Sequence, residues 1–268
     1  MESSVRDESG ARHAVTRIPG SEGPLTLSID IGGTGLKASV LARDGSMTAD
    51  RVRVPTAYPC TPRSLVSSLK ALVAPLPSYD RVAVGFPGVV RAGKVLTAPH
   101  FVEESGPGSK VVPKLLEEWS GFDLEAALAS ELGAPVRAAN DADVQGAAVV
   151  SGIGLELVVT LGTGVGTGLF MNGKLAPHLE IAHHPFRKGQ TYNEQLGEAT
   201  RHRIGIVKWN KRVQEAIENL YTLLMYDRVY IGGGNSRKVT VDLGPRVEIV
   251  DNSAGILGGI KLWEVGFL

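Results

Sequence analysis

The chain has 268 residues, 43% hydrophobic and 21% charged, with 28 basic and 28 acidic side chains. This is the composition of an ordinary globular protein with a full core, one large domain or two small ones, and its charge balance nominates no partner. The single cysteine, Cys60, excludes an internal disulfide and a cysteine-clustered zinc site.

No apolar stretch reaches membrane-spanning length, and residues 1–24 lack the apolar core of a signal peptide. Rich in Ser, Glu, Gly and Arg, they read as a disordered tail, and a cytoplasmic protein is expected. Three strand-like runs follow, Leu25–Ile31, Leu36–Ala42 and Thr48–Val54, joined by Gly-rich or Asp44-Gly45 turns. A helix is predicted over Pro62–Val73, with Pro62 in its first turn. A buried strand, Arg81–Phe86, stops at Pro87-Gly88, and Glu103–Lys110 reads as an exposed loop. Phe122–Leu132 patterns as a helix ending at Gly133, and Pro135–Ala139 as a strand. Asn140-Asp141 then opens a helix over Ala142–Val150.

The second half repeats the opening: strand Leu157–Leu161, a glycine loop, strand Gly168–Asn172, a turn and Lys174. The longest helix is predicted over Val207–Met225. Strand Arg228–Ile231 ends in Gly232-Gly233-Gly234-Asn235; strand Val247–Val250 and helix Ser253–Trp263 close the chain. This is α/β organisation with an internal structural duplication. Two lobes are expected around a cleft: 25–138 joined by the C-terminal helix 253–266, and 139–252. Such a cleft is a usual place for a small-molecule site.

Gly32-Gly33-Thr34-Gly35-Leu36-Lys37 and Gly162-Thr163-Gly164-Val165-Gly166-Thr167-Gly168 each follow an apolar run. Glycines let backbone N–H groups approach a ligand, and threonine hydroxyls add donors, so each loop suits phosphate oxygens. Asp30, just before the first loop, is a hard oxygen ligand suited to Mg²⁺. Lys37 is either a phosphate contact or a solvated charge. Asn140-Asp141-Ala142-Asp143 lies at the carboxyl end of a strand, where ligand sites form in α/β proteins. There a carboxylate could take a proton from a sugar hydroxyl, or simply cap the helix. Glu180, His183 and Glu194 are polar residues whose spacing supports no zinc site.

Taken in order, Asp30-Ile31-Gly32-Gly33-Thr34-Gly35, Gly85-Phe86-Pro87-Gly88-Val89-Val90, Asn140-Asp141-Ala142-Asp143, Leu161-Gly162-Thr163-Gly164-Val165-Gly166 and Ile231-Gly232-Gly233-Gly234 resemble the ROK (repressor, open reading frame, kinase) sugar kinases. The resemblance runs from about Leu25 to Trp263, and Phe186-Arg187-Lys188-Gly189 after His183-His184 is similar to the polyphosphate glucokinase branch. It implies an actin-like ATPase (ribonuclease H-like) duplicated α/β fold and phosphoryl transfer to the 6-hydroxyl of glucose. Polyphosphate is the implied donor, with ATP as a second. By position, Asp141 matches the general base and Asn140 a sugar-hydroxyl ligand. Glu180 and His183 match a sugar-binding Glu-x-Gly-His segment, and Glu194 a later glutamate at the anomeric end. Asp30 matches an Mg²⁺ position, direct or through water. Gly32, Gly33, Thr34, Lys37, Thr163, Gly164, Gly233 and Gly234 match phosphate positions. A homodimer is implied as well.

The chain departs from that pattern in three ways. Ala182 replaces the glycine between Glu180 and His183, His100 stands where the family has a sugar-binding asparagine, and the family's zinc cluster is absent, so no zinc is expected. An imidazole at position 100 hydrogen-bonds a hydroxyl with different geometry, which leaves the sugar open.

From Ile181 to Lys238 there are ten Arg or Lys against five Asp or Glu. Individually these read as solvated faces, and together as a tract suited to a long polyanion. The alternatives are an ATP-dependent ROK kinase for mannose, fructose or an N-acetylhexosamine, and a catalytically silent sugar-binding relative. A repressor needs a DNA-binding module that residues 1–24 cannot form, so no nucleic-acid or membrane partner is expected.

Overall fold

The computed structural model describes residues 23–251 and 254–268. The expected tail up to residue 22 and the expected helix start at Ser253 lie outside them.

The first sheet starts with a meander, β1 Thr26–Ile31, β2 Gly35–Leu41 and β3 Val52–Pro55. Helix α1, Pro62–Val73, follows, with Thr61 and Ser64 forming its capping box and Pro62 opening it. Leu65, Leu69 and Leu72 recur at helical spacing and are buried in the same core as the sheet's Leu27, Ile29 and Ile31. Strand β4, Arg81–Phe86, is followed by a small hairpin of β5 Val90–Arg91 and β6 Lys94–Val95. Helices α2 Pro113–Trp119 and α3 Leu124–Leu132 lead to β7 Val136–Asn140. The strand order is β3-β2-β1-β4-β7; the meander is antiparallel, and β1, β4 and β7 are parallel.

Helix α4, Asp141–Ala147, starts where β7 ends. Next come β8 Leu155–Leu161, β9 Val165–Met171, β10 Lys174–Leu175, a 3-10 turn Ile181–His183, and the pair β11 Pro185–Arg187 and β12 Gln190–Thr191. Helices α5 Tyr192–Leu196, α6 Glu198–Ile204 and α7 Ile206–Leu224 precede β13 Arg228–Gly232 and β14 Val247–Ile249. Helix α8, Ala254–Lys261, and β15, Gly266–Phe267, come last.

The second sheet runs β14-β13-β8-β9-β10-β15. Its first five strands, read as β10-β9-β8-β13-β14, repeat the order of the first sheet and every parallel or antiparallel sense within it. The duplication expected from the sequence is therefore present as topology. Its two halves meet around α4, where Val144 and Ala147 are buried with Ala83 and Ala139 of one sheet and Val158, Phe170 and Tyr230 of the other. A Cβ on Gly258 would lie 2.1 Å from the Val144 carbonyl oxygen, and one on Gly259 would lie 2.5 Å from the Ser28 hydroxyl. Helix α8 thus packs closely on α4 and on β1, a crossing only glycine permits. Among the described residues, no helix is long and apolar enough to cross a membrane.

Several elements differ from the sequence expectation. Strand β3 begins at Val52 rather than Thr48; Thr48 bonds to the Val40 carbonyl of β2 in an isolated bridge that the chain leaves before β3. Strand β9 begins at Val165 rather than Gly168; its pairing with every residue of β8 outweighs the weak strand propensity of Gly166 and Gly168. The β5–β6 hairpin, α2 and β15 carry too few residues for a periodic signal.

Candidate active site

Asp30 lies near the end of β1, on the face opposite Leu27, Ile29 and Ile31, and accepts a 2.9 Å hydrogen bond from Lys37 Nζ across the β1–β2 pair. The glycine turn between them is closed by Gly32 N–H donating to the Gly35 carbonyl at 3.0 Å. Outside this turn, Thr56 and Tyr58 donate their hydroxyls to the Gly32 and Gly33 carbonyls at 2.7 and 2.6 Å. A Cβ on Gly33 would lie 2.9–3.0 Å from Pro107 and the His100 ring. His100, one of the expected sugar residues, therefore packs directly against the first glycine loop.

Asn140 is the N-cap of α4 and is 6% exposed. Its Oδ1 accepts from Ala142 N–H at 2.8 Å, while Nδ2 donates to the Gly88 carbonyl at 3.1 Å. The side chain thereby ties the start of α4 to the Gly85–Val90 segment. Asp141, the next residue, lines a cavity of about 330 Å³ together with Asp30, Lys37, Arg51, Ser28, Ser39 and Gln145. Burial raises its carboxyl to about 6, and the nearby Asp30 carboxylate pushes in the same direction.

The second glycine loop, Gly162-Thr163-Gly164, closes through Gly162 N–H donating to the Gly164 carbonyl. Glu198 N–H, at the start of α6, bonds to the Gly162 and Thr163 carbonyls. The Asn193 Oδ1 accepts from Val165 N–H at 2.8 Å. Asn235 joins this loop to Gly233-Gly234: its N–H bonds to the Leu161 carbonyl and its Nδ2 to the Gly162 carbonyl. Gly233 has φ of +86°, and a Cβ there would lie 2.5 Å from the Leu161 oxygen; a Cβ on Gly162 or Gly234 would meet nothing within 4 Å. The two loops are therefore fixed to each other on one side and open on the other.

Glu180 and His183 come together beside two residues to which the sequence reading gave no role. Asp143, two residues after Asp141, holds His178 Nδ1 at 2.9 Å, with both side chains no more than 3% exposed. His178 Nε2 faces Glu180 Oε1 at 3.8 Å, and Glu180 Oε2 faces His183 Nε2 at 3.7 Å. Burial opposes charge on His178, but the two carboxylates prevail and raise the imidazole to about 9. The imidazolium in turn lowers Glu180. Burial raises Asp143, which the same imidazolium opposes. Nothing local in Pro177-His178-Leu179 marks this histidine; its partner lies 35 residues away.

Glu194 is the N3 residue of α5, and its carboxylate accepts from Thr191 N–H and the Thr191 hydroxyl at 2.8 and 3.0 Å. Those bonds lower its carboxyl, with a smaller contribution from the nearby His183. Glu194 thus caps its own helix within electrostatic range of the Glu180–His183 pair. Arg187, Arg203 and Arg212, from the basic tract, lie close enough together for the first two to lower the Arg212 guanidinium, after burial.

The model of the ROK family matches residues 26–180. The chain is 29% identical over 247 residues to a polyphosphate glucokinase of Mycobacterium tuberculosis (strain CDC 1551 / Oshkosh), covering 86% of this chain and 88% of that one. It superposes with a TM-score of 0.73 on the inorganic polyphosphate/ATP-glucomannokinase of Arthrobacter sp. strain KM, at 29% identity over 90% of this chain and 99% of that one. A ROK family glucokinase from Streptomyces griseus, in complex with glucose and AMPPNP, superposes with a TM-score of 0.67 at 18% identity, covering 89% and 98%. The fold is the actin-like ATPase fold of these kinases.

Proposed function

The chain belongs to the ROK family of sugar kinases, and on that premise we propose that it transfers the terminal phosphoryl group of polyphosphate, with ATP as a second donor, to the 6-hydroxyl of glucose. The observation that carries this reading is the shared cavity of Asp141, Asp30 and Lys37: a carboxylate tuned to about 6 beside an acid and a base suited to phosphate and its metal. Above that pH Asp141 is ionised and able to take the hydroxyl proton as the oxygen attacks phosphorus. Phosphoryl transfer otherwise needs chiefly positioning and charge neutralisation, which suits two tethered glycine loops and Lys37.

Mg²⁺ fits Asp30. Its carboxylate is a hard oxygen donor in the cavity of Asp141, now shared with Lys37 at 2.9 Å, and a hydrated ion that draws most of its shell from phosphates and water needs only one such carboxylate. When bound, it would neutralise charge on the donor phosphates. In this reading Glu180, His183 and Asn140 bind sugar hydroxyls, and Asn140 also caps the helix of the base. Support for polyphosphate comes from the two polyphosphate-using relatives and from the basic Arg187, Arg203 and Arg212 group. The setting in this reading is the cytoplasm.

A coupled assay of glucose and mannose against polyphosphate and ATP at equal phosphate concentration tests it. Faster turnover with ATP overturns the donor preference; glucose binding without turnover overturns the kinase reading.

A further inference from the structure

Between α4 and the 3-10 turn Ile181–His183 lies a chain of four titratable side chains, Asp143, His178, Glu180 and His183, of which the first two are almost wholly enclosed. The enclosure is built for them. A Cβ on Gly168 of β9 would lie 3.0 Å from Asp143 Oδ1, so the glycine lets α4 bring its carboxylate against the strand. The Thr167 hydroxyl donates to the Leu179 carbonyl at 3.1 Å and fixes the segment that carries His178 and Glu180. Within this pocket His178 Nε2 is buried without a hydrogen-bond partner, 3.8 Å from Glu180 Oε1. A buried donor left unpaired costs stability unless some state of the molecule uses it.

Resting on the sugar-kinase reading, we infer that His178 is a positioning residue for the acceptor: Asp143 locks its ring through Nδ1, and its Nε2–H orients the Glu180 carboxylate against the sugar hydroxyls. Asp143 belongs to the helix that begins with Asp141, so one rigid element sets both the base and, through His178, the sugar anchor. The two carboxylates raise His178 well above an ordinary imidazole, so both ring nitrogens carry protons at neutral pH and both point at acceptors. The remaining gap of 3.8 Å narrows to a hydrogen bond when sugar draws the Glu180 carboxylate into place.

The two amide replacements separate the two ends of the ring. His178→Asn keeps a donor toward Asp143 and loses the one toward Glu180; His178→Gln does the reverse. With His178→Asn the KM for hexose should rise about tenfold, the scale of one hydrogen bond to a charged group, while kcat and the donor KM stay within about threefold. His178→Gln should recover part of that loss. Glu180→Gln should raise the hexose KM as well, and the double variant His178→Asn with Glu180→Gln should add little to it. An unchanged hexose KM in His178→Asn, an equal rise in the donor KM, or additive effects in the double variant overturns the inference.

If His178→Asn does not fold, ¹⁵N-histidine spectra of the unaltered chain decide. Saturating glucose should shift the His178 Nε2 resonance, and no shift overturns the inference. An unaltered chain that phosphorylates no hexose overturns the sugar-kinase reading and this inference together; an active chain with a normal KM in His178→Asn overturns only the latter.

Discussion

In the proposed reaction Asp141 is under two opposed demands: a base must be ionised, yet its own carboxyl is buried and lies near the Asp30 carboxylate. The physical result is a carboxyl near 6, with burial the larger cause and Asp30 the second. Asp141→Asn should lower kcat by about 10²–10⁴, the range of a lost general base, while calorimetric glucose binding stays within a few-fold. In the parent, kcat/KM should fall as pH drops below about 6, where the base is protonated. In Asp30→Asn overall activity falls, but that acid limb should move to lower pH, because the repulsion that raises Asp141 is gone; a limb that stays in place removes Asp30 as a cause. Stability has the reverse sign. A carboxyl whose folded value exceeds its ordinary 3.8 costs nothing below that pH and its full amount above about 6. Asp141→Asn should therefore melt a few degrees higher than the parent at pH 7.5, and the gain should vanish by about pH 4.

At the scale of elements, the crossing of α4 and α8 sets how closely the halves approach. Gly258→Ala drives a methyl to 2.1 Å from the Val144 carbonyl oxygen, backbone that cannot yield as a side chain would. Overpacking of this kind costs about 1–3 kcal/mol, a fall in Tm of roughly 2–6 °C for a chain of this length, readable by calorimetry. Glycines also show where the sequence was legible. Helix α1 matched its expected span because Thr61, Pro62 and Ser64 announce its start locally, and the apolar runs of β1, β4 and β8 announce themselves in the same way. The glycine loops were legible as turns in composition, but the tie of the second loop to Gly233-Gly234 was not, since Asn235 reaches Gly162 across 73 residues. His178 was hidden for the same reason: its meaning lies in a distant carboxylate. The start of β9 was missed because its glycines obey a cross-strand partner rather than their own propensity.

Over the whole molecule, the C-terminal segment works as a clasp. Helix α8 packs on α4 and β1, and β15 then pairs with β10 in the other sheet. Between them Arg137 of β7 donates to the Leu262 and Val265 carbonyls at 2.9 and 3.4 Å, with its guanidinium over the rings of Trp263 and Phe267. Arg137→Ala should cost about 1–3 kcal/mol through two orphaned carbonyls and two lost ring contacts. Amide exchange should quicken at Leu268, whose N–H bonds to the Leu175 carbonyl, before it quickens in β8; uniform exchange would show that the clasp does not open alone.

The placement of this clasp also bears on how the chain is born. Residues 254–267 leave the ribosome after both sheets they join, so during synthesis the Ser28 face of β1 and the free edge of β10 await partners not yet made. Each sheet must hold together unaided on the nascent chain, and the cleft between them acquires its final geometry only once α8 and β15 have emerged. The window in which a chaperone is most useful to this protein therefore falls between the completion of β14 and the emergence of α8 and β15.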